Sequence, residues 1–199
     1  MADAAAIATV RPPAGRRLGW WGMTTLVMTE AMLFALLLFT YVYLATRAEQ
    51  WPPEGVAEPE LLRSGIRSLL LFASSATMSW ADRGIRRGCR GRFETGLVVT
   101  FLLAAVFMAG HVEEMRTLPA EFTWASHAYG SLFYTITNFH AAHLTVGMAL
   151  LAFTYLASRR GHFSAEEHLG ATTTSIYWHF VDVVWVFVYT LLYLWPHLR

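Results

Sequence analysis

The sequence predicts an all-α fold, a polytopic membrane helix bundle of five transmembrane helices with its N-terminus inside and its C-terminus outside. Three observations carry that expectation. Hydrophobic residues make up 55% and aromatic residues 15% of the 199-residue chain, and the mean hydropathy is +0.39, well above what a soluble domain of this size shows. The apolar residues come in long runs, separated by short segments rich in arginine, proline and glycine. Inside the runs ionisable residues are few and isolated, as a hydrocarbon solvent demands.

Residues 1–17 read as a cytoplasmic N-terminal tail. MADAAAIATV lacks the basic start of a signal peptide, and Arg11, Arg16 and Arg17 stand just ahead of an apolar stretch, so the first helix is expected to be retained. That helix covers about residues 18–44, with Trp20 and Trp21 at one end, Tyr41 and Tyr43 at the other, and Glu30 close to its middle. Aromatic belts at both ends are what the two membrane interfaces favour. WPPEGVAEPE follows, where Pro52, Pro53, Gly55 and Pro59 forbid regular helix and make a stiff connector. The second span, about residues 61–81, is the least apolar because Arg63 and Arg67 interrupt its start. Arginines near a helix end can extend their charge to the interface. Ala73, Ser74, Ser75, Ala76 and Ser79 in the same span admit a closely packed neighbour.

After the arginine-rich loop RGIRRGCRGR, the third span runs over about residues 93–115 and closes with His111, Glu113 and Glu114. A loop carrying Pro119 and Trp124 leads to the fourth, about residues 129–158, which holds Asn138, His140 and His143. The polar turn RRGHFSAEEH precedes the fifth, about residues 171–195, which holds His179 and Asp182 and is expected to end at Pro196. Residues 18–199 thus form one membrane domain.

Charge placement sets the orientation. Every basic residue is arginine. The N-terminal tail, second loop and fourth loop hold Arg11, Arg16, Arg17, Arg83, Arg86, Arg87, Arg90, Arg92, Arg159 and Arg160, against Arg47, Arg63, Arg67, Arg116 and Arg199 on the other side. Short cytoplasmic loops are enriched in basic residues, so the first group lies inside. The net charge of +1 gives no reason to expect nucleic acid, and the single cysteine, Cys89, excludes an internal disulfide and a multi-cysteine metal site.

Glu30, His143 and Asp182 fall near the centres of three spans, which suggests one buried polar cluster. His140, His143 and Gly147 share a helix face, as do Trp178, Asp182, Trp185 and Tyr189. Three chemistries compete for these groups. They can fix helix packing by hydrogen bonding to each other or to lipid head groups. Glu30, a histidine and Asp182 can relay protons, although no continuous string of polar side chains leads in from either surface. His140 with His143 can ligate a metal, or His143 with His179 a haem. The first is the favoured expectation.

Several stretches also resemble one family. YWHFVDVVWVFVY, residues 177–189, looks like the signature of cytochrome c oxidase subunit III. FYTITNFHAAHLTVG, residues 133–147, resembles that family's segment with paired histidines, and MTEAMLFALLLFTYVY, residues 28–43, its helix with a buried acid followed by aromatics. WPPEGV and HAYGSLFY fit in the same order. The chain is similar to the five-helix bacterial form, without the two additional helices of the mitochondrial form. The family's usual glycines around the paired histidines are replaced here by Asn138, Ala141 and Ala142.

The resemblance implies a non-catalytic subunit of a haem-copper terminal oxidase in the bacterial cell membrane. It would stabilise the catalytic subunit I, bind phospholipid and support proton uptake. Subunit II and further respiratory subunits are the other partners. Haem and copper are expected in those partner subunits and no cofactor in this chain. Carried over residue by residue, Glu30 corresponds to the buried acid, Glu113 or Glu114 to the acid closing the next-but-one helix, His140 and His143 to the paired histidines, and His179 with Asp182 to the signature pair. The fold also admits an accessory subunit of a quinol oxidase or nitric oxide reductase, and the polar residues alone admit a proton-conducting protein using Glu30, His143 and Asp182.

Overall fold

A computed structural model describes residues 14–56, 59–120 and 122–198, with the side chains of residues 14–17 and 120 left out of the description. Within it the chain forms five long helices: α1 (Ala14–Arg47), α2 (Leu61–Arg86), α3 (Arg90–Thr117), α4 (Ala128–Arg159) and α5 (Leu169–Tyr189). Helix α1 begins inside the stretch read as a tail, whose residues 1–13 lie outside the described residues. Four helices are long and apolar enough to cross a membrane; α2 falls short on composition.

Successive helices run in alternating directions, as short connections between packed neighbours dictate. Glu30 meets His143 and Phe34 meets Phe139, so α1 and α4 are antiparallel. Gly96 meets Ala81 and Arg67 meets Gly110, so α2 and α3 are too. A Cβ at Gly96 would stand 2.6 Å from that of Ala81. The absence of a side chain there is what lets the α2 and α3 backbones approach. Helix α5 is the centre of the bundle, packing against α1, α2 and α4. Trp178 and Val188 are fully buried within it, and Trp185 nearly so.

Helix α1 buries a single stripe, Phe34, Leu38, Tyr41 and Ala45, spaced at i, i+4, i+7 and i+11. Met23, Val27 and Leu37 flank that stripe, partly buried, while Met28, Met32, Leu36 and Phe39 face outward. Helix α2 is more mixed. Its inward face carries Ser64, Ser68 and Ser74 together with Leu71, Met78, Ala81 and Ile85, while Leu62, Ile66, Leu69 and Trp80 are exposed. Small and hydroxylated residues on a packing face let a neighbouring helix come close.

The two ends of the bundle differ. At one end, Glu94 accepts from Arg90 at 2.8 Å and from Ser158 at 2.9 Å, tying α3 to α4, with Arg159 3.9 Å away. Arg86 pairs with Asp82 at 2.7 Å, and the Arg92 guanidinium lies 4.8 Å from the Trp80 ring centre. At the opposite end aromatic rings interlock: Tyr41 with Trp51, Trp51 with Tyr129, Phe133 with Tyr193. His127 caps α4 there, its Nδ1 accepting from the Gly130 N–H at 2.9 Å. Gly130 is required by closeness, since a Cβ would fall 2.6 Å from the Thr123 carbonyl.

Pro196 does not end the last helix as expected. After Tyr189 the chain widens into a π turn over Thr190–Leu194, then tightens into a 3-10 turn over Trp195–Leu198 that includes the proline. In an α-helix the proline ring would strike the carbonyl four residues back. The wider preceding turn moves that carbonyl and lets the helical run pass through Pro196.

Candidate functional site

The buried polar residues form two seams and one cleft. The first seam joins α5 to α2. The indole N–H of Trp185 donates to Ser68 at 2.9 Å and that of Trp178 to Ser74 at 3.1 Å. His179 places Nδ1 2.7 Å from the Ser75 hydroxyl and Nε2 3.3 Å from that of Ser79. The serines read in the sequence as room for a neighbour are therefore hydrogen-bond partners as well. A trace of this is visible in the spacing: Ser68 and Ser74, the acceptors of the two indoles, lie six apart on α2, and Trp178 and Trp185 lie seven apart on α5, close to two turns in each helix. Thr77 and Thr100 extend the network to α3, their hydroxyls 2.7 Å apart.

The second seam joins α1 to α4. Glu30 Oε2 lies 3.1 Å from His143 Nε2, with the two side chains 28% and 12% exposed. His143 Nδ1 lies 2.8 Å from the Phe139 carbonyl, and the Tyr177 hydroxyl donates to the His143 carbonyl at 3.2 Å. Gly147, on the same face, has the Trp178 ring against it, 3.1 Å from where a Cβ would stand. Thus Glu30 and His143 meet as the sequence suggests.

Asp182 does not join them. It is buried, and neither carboxylate oxygen has a hydrogen-bond partner among the described residues; Ser75 is its near polar neighbour. His140 is buried, its ring nitrogens likewise without a partner among the described residues and its ring 4.8 Å from that of Trp185. The expected single cluster is therefore divided between different helix pairs. Nor does the arrangement fit a haem between His143 and His179. All four of their ring nitrogens already face Glu30, the Phe139 carbonyl, Ser75 or Ser79. Among the described residues no group of three or more His, Cys, Asp or Glu is placed to hold a metal ion.

The cleft, of about 450 Å³, lies at the aromatic end between α2, α3 and the connection to α4. In its floor Arg67 pairs with Glu114 at 3.0 Å and donates to the Gly110 carbonyl at 2.6 Å. Tyr193 donates to the same carboxylate at 3.1 Å. Three helical segments are pinned by this one group. Of the two acids considered for the end of α3, Glu114 is the one tied into the bundle, while Glu113 is exposed on the cleft rim. The Arg67–Glu114–Tyr193 and Glu94–Ser158 contacts have no local pattern in the sequence, because their members lie tens of residues apart; Arg90 and Glu94, four apart on α3, are the one readable pair.

Residues 12–197 match the family model described as cytochrome c oxidase subunit III. The chain belongs to this family. Cytochrome c oxidase subunit 3 of Thermostichus vulcanus is 35% identical over 174 residues, covering 87% of this chain and 85% of the relative. That of Synechocystis sp. is 33% identical over 175 residues, covering 87% and 74%. That of Anopheles gambiae is 32% identical over 181 residues, covering 88% and 68%. As a subunit III of the haem-copper oxidases, the chain is one component of a multi-subunit respiratory complex. Its four long apolar helices make it a multi-pass membrane protein.

Proposed function

We propose that the chain is a non-catalytic subunit of a haem-copper terminal oxidase, embedded in the bacterial plasma membrane beside the catalytic subunit I and subunit II, which carry the haem and copper. It stabilises subunit I, binds phospholipid on its outward faces and supports proton uptake from the inner side. All five helices span in this reading, with the N-terminus inside and the C-terminus outside. The alternation of α1 to α5 favours it, because it gathers Arg83, Arg86, Arg87, Arg90, Arg92, Arg159 and Arg160 at one end. At about 1.5 Å per residue, the 26 residues of α2 exceed the ~30 Å hydrocarbon core. Its low hydropathy comes from serines turned inward and from charges at its two ends.

The observation that carries the functional reading is how the buried polar groups are used. Ser68, Ser74, Ser75, Ser79, Trp178, His179 and Trp185 are spent on holding α2 to α5, which is a scaffold's use of polar atoms. Proton conduction through Glu30, His143 and Asp182 has less support, since no hydrogen bond or ion pair joins Asp182 to the other two. Affinity purification through this chain in mild detergent tests the proposal. A haem-bearing partner with its visible absorbance is expected to co-purify, and the chain expressed alone is expected to show none. Stoichiometric haem in the isolated chain would overturn the reading, as would purification with no haem protein from cells that make both.

A further inference from the structure

The cleft at the aromatic end has a locked floor and an open, oppositely charged rim. In the floor the Arg67–Glu114 pair is 17% exposed on each side and further held by Gly110 and Tyr193. A Cβ at Gly110 would overlap the Arg67 side chain, so the glycine is what admits that arginine. The floor charges are thus committed to each other. The rim is different. Among the described residues Arg63 on α2 pairs with Glu60 at its own helix start, at 3.2 Å with side chains 79% and 68% exposed. Such exposed pairs contribute little and exchange partners freely. Across the cleft on α3, Glu113 is exposed and its carboxylate has no hydrogen bond or ion pair among the described residues.

A positive group on one wall and a negative group on the other, above a neutral floor, complement a zwitterion. Below the rim, Ile66 lines the cleft and continues into Leu62 and Leu69, exposed at i−4 and i+3 on the same helix face. That strip offers a path for an acyl chain into the surrounding hydrocarbon. We infer that this cleft binds the headgroup of a phospholipid with a primary ammonium, a phosphatidylethanolamine, its phosphate on Arg63 and its ammonium on Glu113. The charge balance excludes the nearest competitors. Arg63 and Arg67 face Glu60, Glu113 and Glu114, so the cleft is net negative and repels an anionic headgroup. A choline headgroup has no N–H to donate to Glu113, whereas ethanolamine offers a charge-assisted hydrogen bond.

This inference rests on α2 being a membrane span, and its test separates the two. The full chain, delipidated in mild detergent, is titrated with dioleoyl phosphatidylethanolamine, phosphatidylglycerol and phosphatidylcholine and read by native mass spectrometry. One phosphatidylethanolamine is expected to bind about tenfold more tightly than the other two, as one such hydrogen bond implies. Glu113→Gln removes that preference and Glu113→Asp retains it. Arg63→Gln weakens all three lipids. Equal or tighter binding of phosphatidylglycerol overturns the inference, and so does an unchanged preference in Glu113→Gln. Co-purification of Glu113→Gln with the haem-bearing partner is unaffected in either case, because that readout reports the subunit assignment alone. Both substituted side chains are exposed, so circular dichroism of each variant matches the parent chain.

Discussion

The α2–α5 seam and the α1–α4 seam use polar residues differently. Against α2 the two indole N–H groups and His179 of α5 meet serine hydroxyls at 2.7–3.3 Å. Between α1 and α4 a single pair, Glu30 with His143, stands at a partly exposed edge. Two buried groups, Asp182 beside Ser75 of α2 and His140 against the Trp185 ring, have no hydrogen-bond partner among the described residues. A membrane interior makes satisfied hydrogen bonds a packing force and unsatisfied groups a cost. The serine contacts therefore hold α5 to α2, whereas Asp182 and His140 leave polar capacity to spare.

The largest expected effect comes from forcing α2 away from its place. Gly96→Leu puts a branched side chain where a Cβ already meets Ala81, and overpacking of this kind costs about 3 kcal/mol. Thermal unfolding of the purified chain in detergent, followed by circular dichroism, should show the midpoint fall sharply. Retention of the parent midpoint would mean the two helices do not pack as described.

Next in size is the completed seam itself. Ser68→Ala strands the Trp185 N–H in the interior and is expected to cost about 2 kcal/mol. Adding Trp185→Phe to it should recover part of the loss, because both partners are then absent. A double variant as weak as the sum of the two single ones would show that the hydrogen bond contributes nothing.

The smallest effect is expected at Asp182. Asp182→Asn replaces a carboxylate that has no hydrogen-bond partner among the described residues, so the isolated chain should change by less than about 1 kcal/mol. A loss as large as that from Ser68→Ala would erase the contrast between paired and unpaired buried groups.

Much of this architecture was legible in the sequence, and the reason is the solvent. A bilayer imposes length and polarity on each segment separately, so α1, α3, α4 and α5 announce themselves as apolar runs. Helix α2 is harder to read because serines and apolar residues alternate on its inward face; only the structure shows that Leu62, Ile66 and Leu69 are turned outward. For the site, the sequence identified Glu30, His143, His179 and Asp182 by their depth. It did not show which of them meet, since Glu30 and His143 are 113 residues apart and their meeting depends on the rotation of two helices. Gly147 and Gly96 show the same limit. Both are small residues in a helix, and the side chain each one accommodates, Trp178 or Ala81, is visible only across the interface.

The central place of α5 has a consequence for how the protein is made. Helices enter the membrane in the order in which they are synthesised, and N-terminal parts organise first. Helix α5 follows the other four in the chain, yet it supplies the tryptophans and the histidine that occupy the serines of α2. Until α5 arrives, the α2 hydroxyls have no indole to receive, so the contacts between α2 and α5 are the last of the bundle to become available.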